Sequence, residues 1–302
     1  MILETNSLIS RTGVCLGREL IFQQENKVGE RNIVITVNDG QKDLIIKAGL
    51  DVETDFIALK LLNKLDIAAP RLEYFLRLGE DFGNCNLIIM AKLRGVMARS
   101  LPQPERAMIV SQIIDELEKL RLIGSDVAGP LNLVERDLGT SWKKYLELIL
   151  EESINELSSV ANATSLRVNN DLISEAQKFV RAKLSMFPDG ISLSLLHNDI
   201  NLANCLVSDG KLEGIVDWSD AVYGDYLFDL SRLRMNLAQS KDSLSLEIYE
   251  HKVGKSDNER ERESLYYIIR LIEYLGIYKK YDNILWFERN QELLSEAMRE
   301  QI

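Results

Sequence analysis

The stretch of residues 194–229 constrains the possible fold and chemistry of this chain most, because it combines a regular spacing of polar residues with a strong turn signal. Its polar residues follow the pattern H-x-D-x-x-x-x-N, and a further Asp comes after a short hairpin. An apolar run, Ser194-Leu195-Leu196, leads into the polar loop. The four residues of the pattern are His197, Asp199, Asn204 and Asp217.

The hairpin is predicted from Asp209-Gly210, a two-residue turn signal between two apolar segments. That turn would place Ser208 opposite Lys211, Leu206 opposite Glu213, and Asn204 level with Ile215. Asn204 and Asp217 should therefore emerge at the same end of the hairpin, next to the loop that carries Asp199. Three hard oxygen groups at one point suit Mg²⁺ with water and phosphate oxygens as its other ligands.

The same spacing is the catalytic-loop pattern of protein-kinase-like phosphotransferases. The segments LLHNDINLANCLV and GIVDWSDAVYGD resemble the aminoglycoside phosphotransferase family. Most of the C-terminal lobe, including the arrangement Trp142-x-x-Tyr145-Leu146, is similar to hygromycin-type kinases in particular. This resemblance implies that Asp199 is the catalytic base, that Asn204 and Asp217 bind Mg²⁺, and that His197 is a structural residue that braces the loop. Asn198 stands where family members usually have Gly.

The resemblance also implies the fold. It is an α+β, bilobal, protein-kinase-like fold, with a small antiparallel-sheet N-lobe and a larger, mostly helical C-lobe. Residues 1–93 would form the nucleotide-binding N-lobe, with a hinge at about 90–94. Residues 94–302 would form the catalytic and substrate-binding C-lobe.

Nucleotide-binding residues are expected in the N-lobe. Apolar strands flank Asn38-Asp39-Gly40, and Lys47 ends the second strand, where the resemblance implies a contact with nucleotide phosphates. Residues 51–65 read as a helix with Phe56, Leu59, Leu62 and Leu65 on one stripe. The partner of Lys47 is Asp55 or, alternatively, Glu53.

Three further positions concern the nucleotide. Gly29 lies in a loop that resembles the nucleotide-covering loop, where a glycine allows close backbone approach. The adenine edge would meet backbone groups near Ala91 and Leu93, which suits ATP and also allows GTP. The tripeptide Asp81-Phe82-Gly83 is a literal DFG, but it precedes the catalytic loop and is predicted to be a turn, because Asp and Gly favour turns.

The region after the hinge is expected to be helical, with residues 151–170 as a polar surface connection. Candidates for contacts with the acceptor molecule lie in its C-terminal part. Each of them has a simpler alternative as a core, capping or solvated residue. The candidates are Asp229, Glu273, Tyr278, Trp286 and Glu288.

Composition narrows the classes of partner. The 302-residue chain has 47 acidic and 36 basic residues and a net charge of −11, which argues against nucleic acid and favours a cationic substrate. No apolar run approaches the ~20 residues of a membrane span. Three scattered cysteines suggest reduced thiols and a cytoplasmic protein. We expect a monomer or weak dimer.

The sequence therefore predicts a Mg²⁺- and ATP-dependent kinase of small molecules. The preferred acceptor is a hydroxyl of an amine-bearing aminoglycoside or aminocyclitol antibiotic, which would give resistance. The alternative is a kinase of a small cellular metabolite, such as an amino alcohol, a sugar or a homoserine-like compound. A nucleotide-binding pseudokinase is a third possibility, disfavoured because Lys47, Asp199, Asn204 and Asp217 are all present.

Overall fold

The computed structural model describes residues 5–26, 32–78, 85–159, 166–188, 190–253 and 256–301. Its N-terminal part is built around one antiparallel sheet with the strand order β1-β2-β3-β5-β4. This confirms the sheet-based N-terminal part of the predicted fold. The elements are α1 (Thr5–Leu16), β1 (Ile21–Asn26), β2 (Asn32–Asn38), β3 (Asp43–Gly49), α2 (Val52–Leu62), β4 (Leu72–Arg77) and β5 (Asn86–Ala91).

The β2–β3 turn forms where the sequence predicted it, because its side chains satisfy the turn's backbone donors. Oδ1 of Asp39 accepts hydrogen bonds from the N–H groups of Gln41 and Lys42 at 3.0 and 2.9 Å. Gly40 has a φ of +87°, a conformation that glycine adopts without strain. The turn places Lys47 on β3, between Val34 of β2 and Ile88 of β5.

Helix α2 is shorter than predicted, and its buried stripe is different. It ends at Leu62, after which residues 63–66 form turns and Asp66 takes a positive φ of 52°. Leu65 is consequently exposed and Phe56 only partly buried. The buried face carries Val52, Asp55, Leu59 and Leu62, so the helix buries a carboxylate among its apolar residues.

The C-terminal part is mostly helical, as predicted, with short strands beside the loop of residues 197–204. A 3₁₀ turn at Ala98–Ser100 precedes its first long helix. The elements are β6 (Val96–Met97), α3 (Gln103–Leu120), β7 (Gly124–Ser125), β8 (Gly129–Pro130), α4 (Leu131–Val134), α5 (Trp142–Ser158), α6 (Asn170–Ser185), β9 (Leu193–Leu196), β10 (Cys205–Ser208), β11 (Lys211–Ile215), β12 (Val222–Gly224), α7 (Leu227–Gln239), α8 (Ser243–Lys252), α9 (Asp257–Lys280) and α10 (Ile284–Arg299).

The prediction of a polar connection over residues 151–170 was wrong in its first half. Helix α5 continues to Ser158, because Leu150, Ser153 and Leu157 fall on one buried side of it. Its last carbonyls are satisfied by Lys279 of α9, whose ammonium donates to the carbonyl oxygens of Glu156, Leu157 and Ser159. The glutamates in this segment lie on the other side of the helix, and they made the helical spacing of its buried residues difficult to recognise in the sequence.

The β10–β11 hairpin forms with a different register from the predicted one. Ser208 pairs with Lys211 as expected, but a bulge shifts the pairing so that Cys205 faces Ile215. The carbonyl oxygen of Asn204 accepts a hydrogen bond from the N–H of Val216 at 2.8 Å. Asn204 is therefore level with Val216, and Asp217 is the next residue along.

The segment between the sheet and the helical part runs directly against this hairpin. β6 pairs with β10, and Gly95 has a φ of +91° just before it. A Cβ atom at Gly95 would lie 1.9 Å from the carbonyl oxygen of Val207. A Cβ atom at Gly214 of β11 would lie 2.6 Å from Cδ1 of Leu93. Glycine is required at position 95, because the contact there is with backbone atoms, whereas at position 214 the leucine side chain could move.

Two apolar clusters support these elements. One belongs to α1 and the sheet, and includes Leu8, Ile46 and Ile89. The other runs through the helical part and also contains the buried leucines of α2, so α2 is packed against both the sheet and the helical part. Within the described residues, no helix is long and apolar enough to span a bilayer. Cys15, Cys85 and Cys205 are all free thiols.

Candidate active site

The loop after β9 is held by the buried carboxylate of Asp229. Its two oxygens accept hydrogen bonds from the N–H groups of His197 and Asn198 at 2.6 and 2.7 Å. Asn198 has a φ of +70°, a region that Asn and Gly tolerate better than other residues. This explains why Asn can stand where Gly is usual. Asp229, a predicted substrate residue, has the geometry of its alternative, a packing carboxylate.

His197 connects this loop to the segment that carries Asp217. The side chain is fully buried, and its Nε2 lies 2.9 Å from the carbonyl oxygen of Val216. Its ring packs against Trp218 with a centroid distance of 4.6 Å. The N–H of Asp199 lies 3.3 Å from Nδ1 of His197. These contacts are those of a residue that braces the loop.

Asp199 projects from the loop with its carboxylate between α7 and α9. Oδ1 accepts hydrogen bonds from the Tyr274 hydroxyl at 2.6 Å and from Arg232 Nη2 at 2.9 Å. Burial favours the neutral form, but the Arg232 guanidinium and the Tyr274 hydrogen bond outweigh it and hold the pKa of Asp199 below its ordinary value. The side chain remains 30% exposed, so a charged carboxylate is accessible from outside.

Asn204 and Asp217 lie at the same end of the hairpin, as the sequence predicted. The amide nitrogen of Asn204 donates to the carbonyl oxygen of Asp199 at 3.0 Å, which directs its Oδ1 away from that group. Asp217 has a φ of +66°, and its side chain is 51% exposed. Burial opposes ionisation of Asp217, but Lys47 and Ser219 hold its pKa below the ordinary value. Both side chains offer hard oxygen atoms.

Lys47 reaches this end of the hairpin from the sheet. Its ammonium lies 2.8 Å from Oδ2 of Asp55 and 2.7 Å from Oδ1 of Asp217. Burial works against the charge on Lys47, but these two carboxylates together raise its pKa. Burial raises the pKa of Asp55 to about 6, because Lys47 and the N–H of Trp218 only partly offset the loss of water.

The structure decides between the two acids proposed for Lys47. Asp55 faces inward on α2 and makes the ion pair, whereas Glu53 faces another side of the helix. The carboxylate of Glu53 pairs with Arg77 of β4 and with Arg136, which follows α4. Glu53 therefore links the sheet to the helical part and does not contact Lys47.

The backbone near the end of β5 is partly engaged. The N–H of Ala91 donates to the carbonyl oxygen of Arg71 at 2.8 Å, and the N–H of Lys92 donates to that of Asp43 at 3.2 Å. A nucleobase at this edge would therefore have the carbonyl group of Ala91 and the backbone of Leu93 to contact. Gly29 and the Asp81-Phe82-Gly83 tripeptide lie outside the described residues.

The remaining acceptor candidates fall into two groups. Glu273 and Tyr278 lie on α9 near the catalytic loop: Glu273 pairs with Arg270 at 2.8 Å, and the Tyr278 hydroxyl bonds to Gln239 at 3.0 Å. Trp286 and Glu288 lie on α10, where Glu288 is exposed. In the described part of the chain, no hydrogen bond or ion pair joins Trp286 or Glu288 to Asp199, Asn204 or Asp217.

Sequence reasoning missed three helix residues that contact the loop. Arg232 contacts Asp199, Tyr274 also contacts Asp199, and Arg270 donates to the carbonyl oxygen and Oδ1 of Asn198 at 3.0 and 2.6 Å. Each is a polar residue at a buried or partly buried position of an apolar helix face. Arg232 lies three residues after Asp229, on the same side of α7, which was the available signal.

Comparison with known proteins places this site in a family context. The model of the phosphotransferase enzyme family matches residues 48–266, which begin just after Lys47. Hygromycin-B 4-O-kinase from Escherichia coli is 20% identical over 171 residues, which span 55% of this chain and 48% of that protein. The match thus covers about half the length of this relative.

Solved structures with the same fold cover nearly the whole chain. A thermostable mutant of aminoglycoside phosphotransferase APH(4)-Ia without ligand gives a TM-score of 0.75 at 14% identity, covering 97% of this chain and 99% of that one. The complex of another such mutant with ADP and hygromycin B gives a TM-score of 0.71 at 14% identity, covering 97% of this chain and 98% of that one. Amicoumacin kinase hAmiN with AMP-PNP, Ca²⁺ and Ami gives a TM-score of 0.65 at 12% identity, covering 97% of this chain and 94% of that one.

Proposed function

This chain belongs to the phosphotransferase enzyme family, and on that premise we propose that it transfers the γ-phosphoryl group of ATP to a hydroxyl group of a small molecule. The observation that carries the proposal is the meeting of Lys47, Asp55 and Asp217 at one point. These residues come from the sheet, α2 and the catalytic hairpin. A buried cation held beside a half-exposed carboxylate suits a polyphosphate with its metal ion.

Asp199 is the proposed base. Its lowered pKa keeps the carboxylate ionised at neutral pH, so it can accept the proton of an attacking hydroxyl. In that step the acceptor oxygen forms a bond to the γ-phosphorus and the bond from that phosphorus to the ADP oxygen breaks. The protein contributes mainly by positioning and by electrostatic stabilisation, because phosphoryl transfer needs little covalent assistance.

Asn204 and Asp217 are the proposed holders of Mg²⁺. The donor set fits this ion, since one amide oxygen and one ionised carboxylate are hard ligands that leave positions for water and phosphate. When bound, Mg²⁺ would neutralise charge on the phosphate oxygens. Lys47 would contact the phosphates, and the backbone of Ala91 and Leu93 would contact the base, with ATP preferred and GTP an alternative.

The proposed division of the chain follows from this arrangement. Residues 1–93 form the nucleotide-binding N-lobe and residues 94–302 the catalytic and acceptor-binding C-lobe, with the hinge near residues 90–94. The passage from β5 into β6, which pairs with the catalytic hairpin, supports this boundary.

The proposed acceptor is an amine-bearing aminoglycoside or aminocyclitol antibiotic. The net charge of −11 favours a cation. Burial raises the pKa of Tyr145 on α5, and so does the nearby carboxylate of Glu273. Asp220 and Glu152 raise this pKa further, whereas the positive charge of Arg270 lowers it. Carboxylates from α5, α9 and the loop after Asp217 are therefore close enough to Tyr145 to act on its charge. Hygromycin B is the ligand in the complex of a structural neighbour.

The test is a panel of acceptors with Mg²⁺-ATP. We expect release of ADP and a phosphorylated product with hygromycin B or another aminocyclitol, and little turnover with choline or homoserine. The reverse pattern would favour a metabolite kinase. Binding of Mg²⁺-ATP without transfer to any acceptor would favour a pseudokinase.

The Asp199→Ala variant tests the base directly. It should bind Mg²⁺-ATP, as measured by thermal shift, but lose phosphoryl transfer. Turnover close to wild type would contradict the assignment.

A further inference from the structure

The two carboxylate oxygens of Asp199 have different surroundings. Oδ1 accepts three hydrogen bonds: from the Tyr274 hydroxyl at 2.6 Å and from Arg232 Nη2 and Nε at 2.9 and 3.2 Å. Within the part of the chain that the structure describes, Oδ2 has only the side-chain amides of Asn201 and Asn204 as donors, at 3.3 and 3.4 Å. Those distances are long for an N–H···O bond, so Oδ2 is held much more weakly than Oδ1.

The groups on Oδ1 form a rigid unit between two helices. Arg232 comes from α7 and is 5% exposed, and Tyr274 comes from the middle of α9. The guanidinium carbon of Arg232 lies 4.2 Å from the centre of the Tyr274 ring. The planar guanidinium of Arg232 and the hydroxyl of Tyr274 both donate to Oδ1 of Asp199. Together they fix the position of Oδ1 and so the plane of the carboxylate.

We propose that Tyr274 is a positioning residue for phosphoryl transfer: together with Arg232 it engages Oδ1 of Asp199 and so presents Oδ2 to the attacking hydroxyl. This inference rests on the proposed role of Asp199 as base. As the new O–P bond forms and the bond to ADP breaks, the hydroxyl proton passes to Oδ2. Tyr274 and Arg232 remain on Oδ1, which is then the carbonyl oxygen of the neutral carboxyl group and still accepts their hydrogen bonds.

Removal of the Tyr274 hydroxyl should affect transfer more than nucleotide binding. Without it, the carboxylate is held on one side only and can turn about its Cβ–Cγ bond toward Asn201 and Asn204. Small errors in the position of a catalytic group reduce the rate of the chemical step. Lys47 contacts Asp55 and Asp217 and not Asp199, so the expected change is in kcat and not in the KM for ATP.

A competing role makes the opposite prediction. The Tyr274 hydroxyl donates to Asp199 as an acceptor hydroxyl would, so it could occupy the acceptor's place. Its removal would then free the base, lower the KM for the acceptor and leave kcat unchanged or higher. The position of Tyr274 on the oxygen already engaged by Arg232 favours the positioning role.

The experiment is the Tyr274→Phe variant, which removes one oxygen atom and keeps the ring. ADP release from Mg²⁺-ATP is measured with water as the acceptor and then with hygromycin B. Loss of a hydrogen bond to a charged group predicts a fall in kcat of about 10- to 100-fold with the KM for ATP within about twofold. A thermal shift with Mg²⁺-ATP verifies that the variant is folded.

The matched control is Tyr267→Phe. Tyr267 lies one heptad earlier on α9, is buried, and also packs against an α7 arginine, with the guanidinium carbon of Arg234 4.6 Å from its ring centre. The kcat of the Tyr267→Phe variant should remain near that of the wild type. A second variant, Arg232→Lys, keeps the charge but loses the fork, and should lower kcat in the same way as Tyr274→Phe.

Unchanged kcat in Tyr274→Phe, or a lower KM for hygromycin B at unchanged kcat, would overturn the proposal. The Asp199→Ala variant separates this failure from that of the proposed function. If Asp199→Ala is inactive and Tyr274→Phe is fully active, only the positioning role fails. If Asp199→Ala keeps its turnover, both fail.

Discussion

Lys47 and Asp217 lie 170 positions apart in the chain, and the ammonium nitrogen of Lys47 is 2.7 Å from Oδ1 of Asp217. This contact joins the N-terminal sheet to the catalytic hairpin. Lys47 is buried, whereas half of the Asp217 side chain is exposed. The ion pair therefore lies at the boundary between the interior and the open side of the site, where a ligand can reach it.

The first prediction concerns the charge on Lys47. Lys47→Met leaves the carboxylate of Asp55 buried without its cation, since Asp55 is only 2% exposed. Breaking a buried pair in this way should lower the free energy of unfolding by about 3 kcal/mol, measured by urea denaturation. The KM for ATP should also rise.

The control for Lys47 is Lys42→Met. Lys42 is also in the sheet region, but it is exposed and its ion-pair partner Glu73 is only partly buried. Loss of this ion pair should lower the free energy of unfolding by less than about 1 kcal/mol. Equal losses in the two variants would contradict the importance of the buried site.

The second prediction separates the two acids of α2. Asp55→Asn should raise the KM for ATP by about tenfold, the equivalent of about 1.4 kcal/mol, because Lys47 loses one of its two carboxylate partners. Glu53→Gln should leave the KM for ATP near wild type, since Glu53 pairs with Arg77 and Arg136. Steady-state kinetics at varied ATP measures both. A larger effect from Glu53→Gln would reverse the assignment.

The third prediction concerns the close approach at Gly95. Gly95→Ala should be severely destabilising, because its Cβ would lie 1.9 Å from the carbonyl oxygen of Val207. Gly40→Ala is the matched control: Gly40 has nearly the same φ, +87° against +91°, but nothing lies within 4 Å of its Cβ. Both carry the cost of a positive φ, about 1–2 kcal/mol.

The difference between these glycine variants isolates the steric effect. We expect Gly95→Ala to lower the free energy of unfolding by at least about 2 kcal/mol more than Gly40→Ala. Urea denaturation of both proteins measures this difference. Similar stabilities would mean that β6 can move away from the hairpin at little cost.

The fourth prediction is a pH dependence of stability from Asp242. Burial opposes its ionisation, but hydrogen bonds from Arg106 at 2.5 Å, Ser245 at 2.8 Å and Gln103 at 3.0 Å hold its pKa below the ordinary value. A depressed carboxylate pKa contributes stability above the unfolded-state value of about 4, and this contribution is lost as the pH falls through the folded-state pKa.

Asp242→Asn should therefore reduce the stability near pH 6 and make the acid-side decline less steep. Urea denaturation at a series of pH values from 6 downward measures the slope. An unchanged slope in Asp242→Asn would show that this carboxylate does not couple folding to protons.

The sequence alone determined the local structure of the site. Asp209-Gly210 predicted the hairpin because a tight turn depends on the φ angles of its own residues, and Gly210 has a φ of +72° in the structure. The spacing of His197, Asp199, Asn204 and Asp217 identified the loop and the family. The antiparallel sheet and the helical C-terminal part followed from that resemblance, and the structure has both.

Interactions between distant elements were decided only by the tertiary structure. The choice between Glu53 and Asp55 depends on which side of α2 faces the sheet, because positions two apart in a helix point in directions that differ by about 200°. The irregular pairing of β10 with β11 lies between Leu206 and Val207, outside the two turn residues that carry the sequence signal. Arg232 and Tyr274 meet Asp199 only because α7 and α9 dock on the catalytic loop. Turn signals act through the backbone of a few residues, whereas these contacts depend on packing across the whole chain.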